Sequence, residues 1–196
     1  MADDKRCGTG IQKYCDGGIY KGSWQNDNRH GKDGEDKNTD GSIYRGNFEN
    51  DKRNGHGVAT CADGSLYSGA WVVGVKHGLG TETQPEGLKY IGLFESGQRT
   101  GPATLKNVDG SSYKGELLKG ELIMHGHGMK RFKDGSSYNG SWQHSKRHGQ
   151  GITKEARGTT THIGEWVEDR KHGPGTIAYS DGRIYTSTWT NNKASG

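Results

Sequence analysis

The chain has 196 residues, of which only 28% are hydrophobic and 35 are Gly, a composition that on its own points to disorder rather than to a packed globule. Its net charge of +4, from 27 basic and 23 acidic residues of both signs dispersed along the chain, argues against a dedicated nucleic-acid binder. Three cysteines, Cys7, Cys15 and Cys61, give neither a disulfide framework nor a metal knuckle, and no apolar run approaches the roughly 20 residues of a membrane span. The start, Met-Ala-Asp-Asp-Lys-Arg, lacks the apolar stretch of a signal peptide, so a reducing, cytoplasmic setting is expected.

In chain order, residues 1–15 read as a tail that ends in a half-repeat, with Gly8-Thr9-Gly10 as the close of an earlier unit. Over residues 16–180 a unit of about 23 residues recurs seven times. It is marked by Tyr20-Lys21-Gly22-Ser23-Trp24 and then by the pairs Tyr44 and Phe48, Tyr67 and Trp71, Tyr90 and Phe94, Tyr113 and Leu117, Tyr138 and Trp142, His162 and Trp166. Residues 181–196 form a partial repeat and tail containing Tyr185 and Trp189. Asp-Gly stands four residues before the Tyr in six units, as in Asp16-Gly17 and Asp134-Gly135, and Gly-x-Gly follows in five, as in Gly55 with Gly57 and Gly173 with Gly175.

The departures fall at definite places. Repeat one has an extra residue in Gly31-Lys32-Asp33-Gly34, which predicts an irregular second strand. Repeat five has Leu117 for the aromatic and two extra residues before His125, which predicts a bulged loop. Repeat seven has His162 for Tyr and no Asp-Gly, and the partial repeat stops after Trp189, leaving its strand without a partner of its own.

All 17 aromatic residues lie in three repeat columns, an order that a disordered chain has no reason to keep. Tyr-x-Gly-x-Trp alternates with the period of a β-strand, placing Tyr, Gly and Trp on one face. Asp-Gly followed by a small or polar residue is a strong turn signal. Glycine weakens a strand unless its missing side chain is used, and a ring from a neighbouring strand can lie over it. The expected fold is all-β: an elongated single-layer antiparallel sheet of stacked hairpins, with about 15 strands and stability shared between neighbours.

These Tyr-x-Gly-x-Trp, His-Gly-x-Gly and Asp-Gly elements resemble the MORN (membrane occupation and recognition nexus) repeat over about residues 8 to 190. The resemblance implies an open, groove-shaped sheet with aromatics along one side. It leaves no segment for the methyltransferase or lipid-kinase domains that some members carry. It also implies a Gly in the loop after Trp, kept here only in Gly74, Gly97 and Gly120.

Three sets of residues are candidates for function. The aromatic columns, Tyr20, Trp24, Tyr44, Phe48, Tyr67, Trp71, Tyr90, Phe94, Tyr113, Tyr138, Trp142 and Trp166, build the fold first, and their groove is a candidate partner site. A basic ladder in the hairpin loops, Arg29, Arg53, Lys76, Arg99, Arg147 and Lys171, suits anionic lipid or an acidic protein, although Asp27, Asp51 and Asp169 weaken its field. The terminal strand with Arg183, Ile184, Tyr185 and Trp189 is a candidate edge for self-association. The His column (His30, His77, His125, His148, His172) reads as part of the repeat, and Cys61, in the third aromatic column, as a small packing residue. No catalytic residue, cofactor or metal ligand set is expected, since His125 and His127 share a strand face without a third ligand. The sequence therefore predicts a non-enzymatic scaffold with protein partners. The resemblance adds the ciliary axoneme, especially the radial spoke, or the cytoskeleton as its setting. The alternatives are a peripheral module on anionic phospholipid and a regulatory subunit of a separate enzyme.

Overall fold

The computed structural model describes residues 5–195, and the chain forms two compact units, Met1–Arg99 and Thr100–Gly196. The first holds β1 (Gly8–Lys13), β2 (Ile19–Gln25), β3 (Asn28–Arg29), β4 (Gly31–Lys37), β5 (Ile43–Glu49), β6 (Lys52–Thr60), β7 (Leu66–Val72), β8 (Val75–Thr83) and β9 (Lys89–Glu95). β10 (Gln98–Lys106) enters the second, which continues with β11 (Ser112–Leu117), β12 (Met124–Arg131), β13 (Ser137–Gln143), β14 (Lys146–Lys154), β15 (Thr160–Val167), β16 (Arg170–Tyr179), β17 (Ile184–Thr190) and β18 (Lys193–Ser195). Within each unit, strands pair antiparallel with their chain neighbours in an open sheet, as the stacked-hairpin reading requires. The described residues hold 18 strands rather than about 15 because β1 pairs with β2, the extra residue of repeat one splits β3 from β4, and β18 pairs with β17.

Two turn chemistries alternate. After each Trp or Phe, tight two-residue loops such as Asn26-Asp27, Asn50-Asp51 and Glu168-Asp169 place both residues at positive φ, the mirror-image turn whose twist matches paired strands. Asn and Asp tolerate that conformation, which is why most loops dispense with the glycine of the family pattern. The Asp-Gly turns are closed differently. The Asp carboxylate accepts the N–H two residues on, as Asp63 does from Ser65 at 2.8 Å and Asp109 from Ser111 at 2.9 Å. Repeat seven replaces this turn with a short 3-10 segment, Ala156–Gly158, in which Arg157 has φ 65°.

The centre of most hairpins is a glycine pair, such as Gly46 with Gly57 and Gly140 with Gly151, while the hairpin of Tyr90 has Ala103 in the place of the second glycine. The Tyr two residues before the first glycine folds back across both. Its hydroxyl donates to the carbonyl three residues on: Tyr20 to Ser23 at 3.0 Å, Tyr67 to Ala70 at 2.9 Å, Tyr113 to Glu116 at 2.8 Å. A Cβ on Gly57 would stand 2.3 Å from the Tyr44 hydroxyl oxygen, so a side chain there would force that ring to shift. Tyr20, Tyr44, Tyr67 and Tyr138 each also meet two column-two rings edge-on, as Tyr44 meets Phe48 at 5.1 Å and Trp71 at 5.3 Å. Each such pair contributes roughly 0.5–1.5 kcal/mol beyond area burial. A zigzag of Tyr and Trp or Phe thus runs along one face of each unit and replaces an aliphatic core.

Candidate functional site

The rings of the aromatic face are buried. Tyr20, Tyr44 and Tyr138 are 0% exposed, and Trp24, the most open of the twelve groove candidates, only 8%. The glycine pairs let the rings lie flat and the basic column covers them, while concave surface remains on this side beside Tyr14, Trp24 and Arg29 and beside Phe132, Trp142 and Arg147. Burial pushes the phenols up, Tyr44 and Tyr138 to about 12.

The basic ladder forms that cover. All six cations lie against rings: Arg29 5.0 Å from the Phe48 centroid, Arg53 4.7 Å from Tyr44, Lys76 4.9 Å from Tyr67, Arg99 5.6 Å from Tyr90, Arg147 4.2 Å from Trp166 and Lys171 5.0 Å from Trp189. Several are also clasped to the next hairpin. Arg147 donates from its backbone N–H and its Nε to the Asp169 carboxylate, at 2.9 and 3.0 Å, and Asp169 N–H donates to the Arg147 carbonyl at 3.0 Å. Arg29 and Asp51 repeat the pattern, and so do Arg6 and Asp27. The aspartates noted in the sequence as weakening the field are thus the links between successive hairpins. Glu82 serves two cations, Lys76 at 2.7 Å and Arg99 at 2.5 Å. Burial alone would raise its pKa, but those partners outweigh burial and hold it low.

Repeat five keeps the design with different chemistry. Its connection runs longer than the tight loops, with Leu118 N–H donating to the Ile123 carbonyl. Leu117 stands opposite Met124 in the register that elsewhere sets Trp71 opposite Lys76 and Trp142 opposite Arg147. Ring and cation are therefore replaced together by an apolar pair, and Met124 is buried. Its backbone is clasped by Ser145, whose hydroxyl accepts from Met124 N–H at 3.1 Å. Lys130 then supplies a cation 5.9 Å from Trp142 and 5.3 Å from Phe132. Burial lowers its pKa. The spacing of Leu117 from Met124 was the available signal for this substitution.

In repeat seven His162 takes the place of Tyr, 3% exposed and 5.4 Å from both Trp166 and Trp189. Neither ring nitrogen has a hydrogen-bond partner among the described protein atoms. Burial, with Lys171 adding to it, pushes its pKa down to about 4. In the His column, His30, His125, His148 and His172 are half-buried and His77 is exposed. Cys61 is exposed, which corrects its reading as a packing residue: it sits in the turn after β6, where its N–H donates to the Ser65 carbonyl.

The exposed apolar surface lies on the opposite face. Alternation points Leu79 (71% exposed), Leu93 and Val58 outward in the first unit and Ile163 (50%), Ile152 and Met129 in the second. These side chains sit between ring-bearing positions in the sequence, and the sequence reading passed over them. In the terminal strand, Arg183, Ile184 and Tyr185 are exposed, whereas Trp189 is buried under His162 and Tyr185. The strand does have a partner of its own: β18 covers Thr188, Trp189 and Thr190, correcting the expectation of a bare outer edge there.

The MORN repeat model matches residues 1–19, 20–32, 44–66, 67–89, 90–112, 123–137, 138–154 and 162–182. The chain belongs to the MORN-repeat family. Its matched segments follow the hairpins described above and identify a repeat scaffold. Among solved structures the MORN array is similar to the TCP domain of SAS-4 (dCPAP) from Drosophila melanogaster, in complex with a proline-rich motif of Ana2 (dSTIL). The identity there is 9%, with 92% of this chain and 90% of that chain covered and a TM-score of 0.51. It is also similar to a mutant TCP10 domain of Danio rerio CPAP, at 10% identity, 91% and 82% coverage and a TM-score of 0.55. At such identities the likeness is one of fold. Among the described residues no helix is long and apolar enough to cross a membrane.

Proposed function

We propose that this MORN-repeat chain is a non-enzymatic scaffold that docks protein partners on the open face of its sheets, in a cytoskeletal assembly such as the ciliary axoneme and its radial spokes. The observation that carries the reading is the division of labour between the faces: rings are spent on the fold, while Leu79 and Ile163 stand in solvent. The neighbouring TCP domain solved with a proline-rich motif supports protein docking on sheets of this kind. The lipid alternative has less to stand on, because the ladder cations lie over rings and several are neutralised by clasps. An enzyme among the docked partners would make the chain a regulatory subunit.

The test uses the full chain immobilised against axonemal extract, beside a Leu79→Asp/Ile163→Asp variant and an Arg53→Gln variant, with retained proteins identified by mass spectrometry. A defined set held by wild type and Arg53→Gln, and reduced about tenfold on the face variant, is expected from the loss of two apolar contacts. The same set retained on all three would contradict docking on this face.

A further inference from the structure

One stretch of the open face carries more than aliphatics. Register aligns Lys106, Ser112, Arg131, Ser137 and Lys154 in a straight row across β10 to β14. Lys106, Arg131 and Lys154 are exposed, and none has a carboxylate partner among the described residues. The adjacent row, two residues along each strand, runs Lys114, Met129, Asn139, Ile152, Ile163. Beyond it, at the hairpin-loop side, stand Glu116 and Glu165. The nearest turn carboxylates, Asp109 and Asp134, are engaged by Ser111 and Ser136. In the first unit the equivalent positions are Lys13, Lys37, Thr60 and Thr83, so the row there is cut short after two cations.

The spacing of the cations selects a ligand conformation. They stand on alternate strands, about 9.6 Å apart at about 4.8 Å per strand. A polyproline II helix rises about 3.1 Å per residue with three residues per turn, so its like-facing side chains recur every 9.3 Å or so. Laid across the strands, it meets one cation per turn. An extended β-strand repeats its faces every 6.7 Å or so and an α-helix turns every 5.4 Å, and neither keeps step with the row. The carboxylates on the far side of the aliphatic row turn the acidic side of such a segment toward the cations and oppose a continuous anionic surface.

We propose that this face of the second unit binds a polyproline-type segment of a partner protein with an acidic residue at every third position, its intervening prolines or small aliphatics lying on Met129, Ile152 and Ile163. The inference rests on the protein-docking reading and specifies the partner's chemistry. Each acid pairs with one of Lys106, Arg131 and Lys154, and the preformed helix loses little entropy on binding.

The test is fluorescence anisotropy of the full chain with a labelled peptide of about five Glu-Pro-Pro triplets, at low salt and with added salt. The control peptide has the same residues with the glutamates gathered at one end. The triplet peptide should bind about tenfold more tightly than the control, and Lys106→Gln/Arg131→Gln/Lys154→Gln should lose about tenfold, as three exposed ion pairs allow. Lys37→Gln should bind as wild type. Equal binding of both peptides, or an unaffected triple variant with wild-type tryptophan emission, would overturn the proposal. So would an affinity for phosphatidylserine vesicles that the triple variant loses while the triplet peptide fails to bind. If the Leu79→Asp/Ile163→Asp variant still sheds its proteins while the triplet peptide shows no preference, only this inference falls and the docking reading stands.

Discussion

At Gly57 an alanine Cβ would stand 2.3 Å from the Tyr44 hydroxyl oxygen, whereas at Gly10, in the same repeat column but with no Tyr folded over it, the nearest side-chain atom is 3.9 Å away. Gly57→Ala is therefore expected to cost about 1–3 kcal/mol through overpacking. Gly10→Ala should stay within about 0.5 kcal/mol. Urea unfolding of the two variants checks the pair, and equal losses would mean that the ring does not dictate the glycine. Val73 is a β-branched residue at φ 50°, where Asn26, Asn50 and Asn191 stand in other repeats, so Val73→Asn should stabilise by roughly 1 kcal/mol. His162 lacks the hydroxyl bond that Tyr20, Tyr44, Tyr67, Tyr90, Tyr113 and Tyr138 make, and its folded pKa, about 4, lies below the ordinary 6.5. The unfolded chain therefore takes up a proton first as pH falls. The stability of neutral His162 is full above pH 6.5 and is lost progressively toward pH 4, by roughly 3 kcal/mol. His162→Tyr should flatten that slope and add about 1 kcal/mol at pH 7 through a bond to the Glu165 carbonyl. Unfolding curves measured between about pH 7.5 and about pH 4 give both readings.

At the scale of the hairpin, two pairings replace one another as units. Arg147 and Asp169 join successive hairpins by side-chain and backbone bonds, with side chains 25% and 47% exposed. A double-mutant cycle of Arg147→Ala and Asp169→Ala should give a coupling near 1 kcal/mol, smaller at high salt, with a further loss in the arginine variant from Trp166. In repeat five, Met124→Arg alone sets a cation against Leu117, while Leu117→Trp with Met124→Arg rebuilds the pair used elsewhere. The double variant should be more stable than the Met124→Arg chain by about 1 kcal/mol, and additivity would refute the pairing. Much of this element was legible in the sequence. Period-two spacing and the Asp-Gly turns located the hairpins, and the extra residue in Gly31-Lys32-Asp33-Gly34 marked the split between β3 and β4. The clasps were not legible, because each depends on an Arg and an Asp about 22 residues apart that meet only when hairpins stack. β18 was missed because Lys193–Ser195 carries none of the repeat's marks.

Across the molecule, stability divides into terms for each hairpin and for each contact with its neighbour, as in other repeat proteins. The sequence columns identified the rings but not how far each would be buried, since a Tyr that folds flat over its neighbours leaves little of itself exposed. The candidate site moved accordingly, from the rings to residues such as Leu79, Ile152 and Ile163 that alternate with them. The central claim is that the aromatic face makes the fold and the opposite face makes the contacts. All five tryptophans, Trp24, Trp71, Trp142, Trp166 and Trp189, are at most 8% exposed. Their fluorescence, read with acrylamide quenching before and after a retained partner is added, tests that claim most directly. Blue-shifted emission and weak quenching, both unchanged by the partner, are the predicted result. Emission typical of solvated indole, or quenching that the partner suppresses, would place the contact surface on the rings and contradict it.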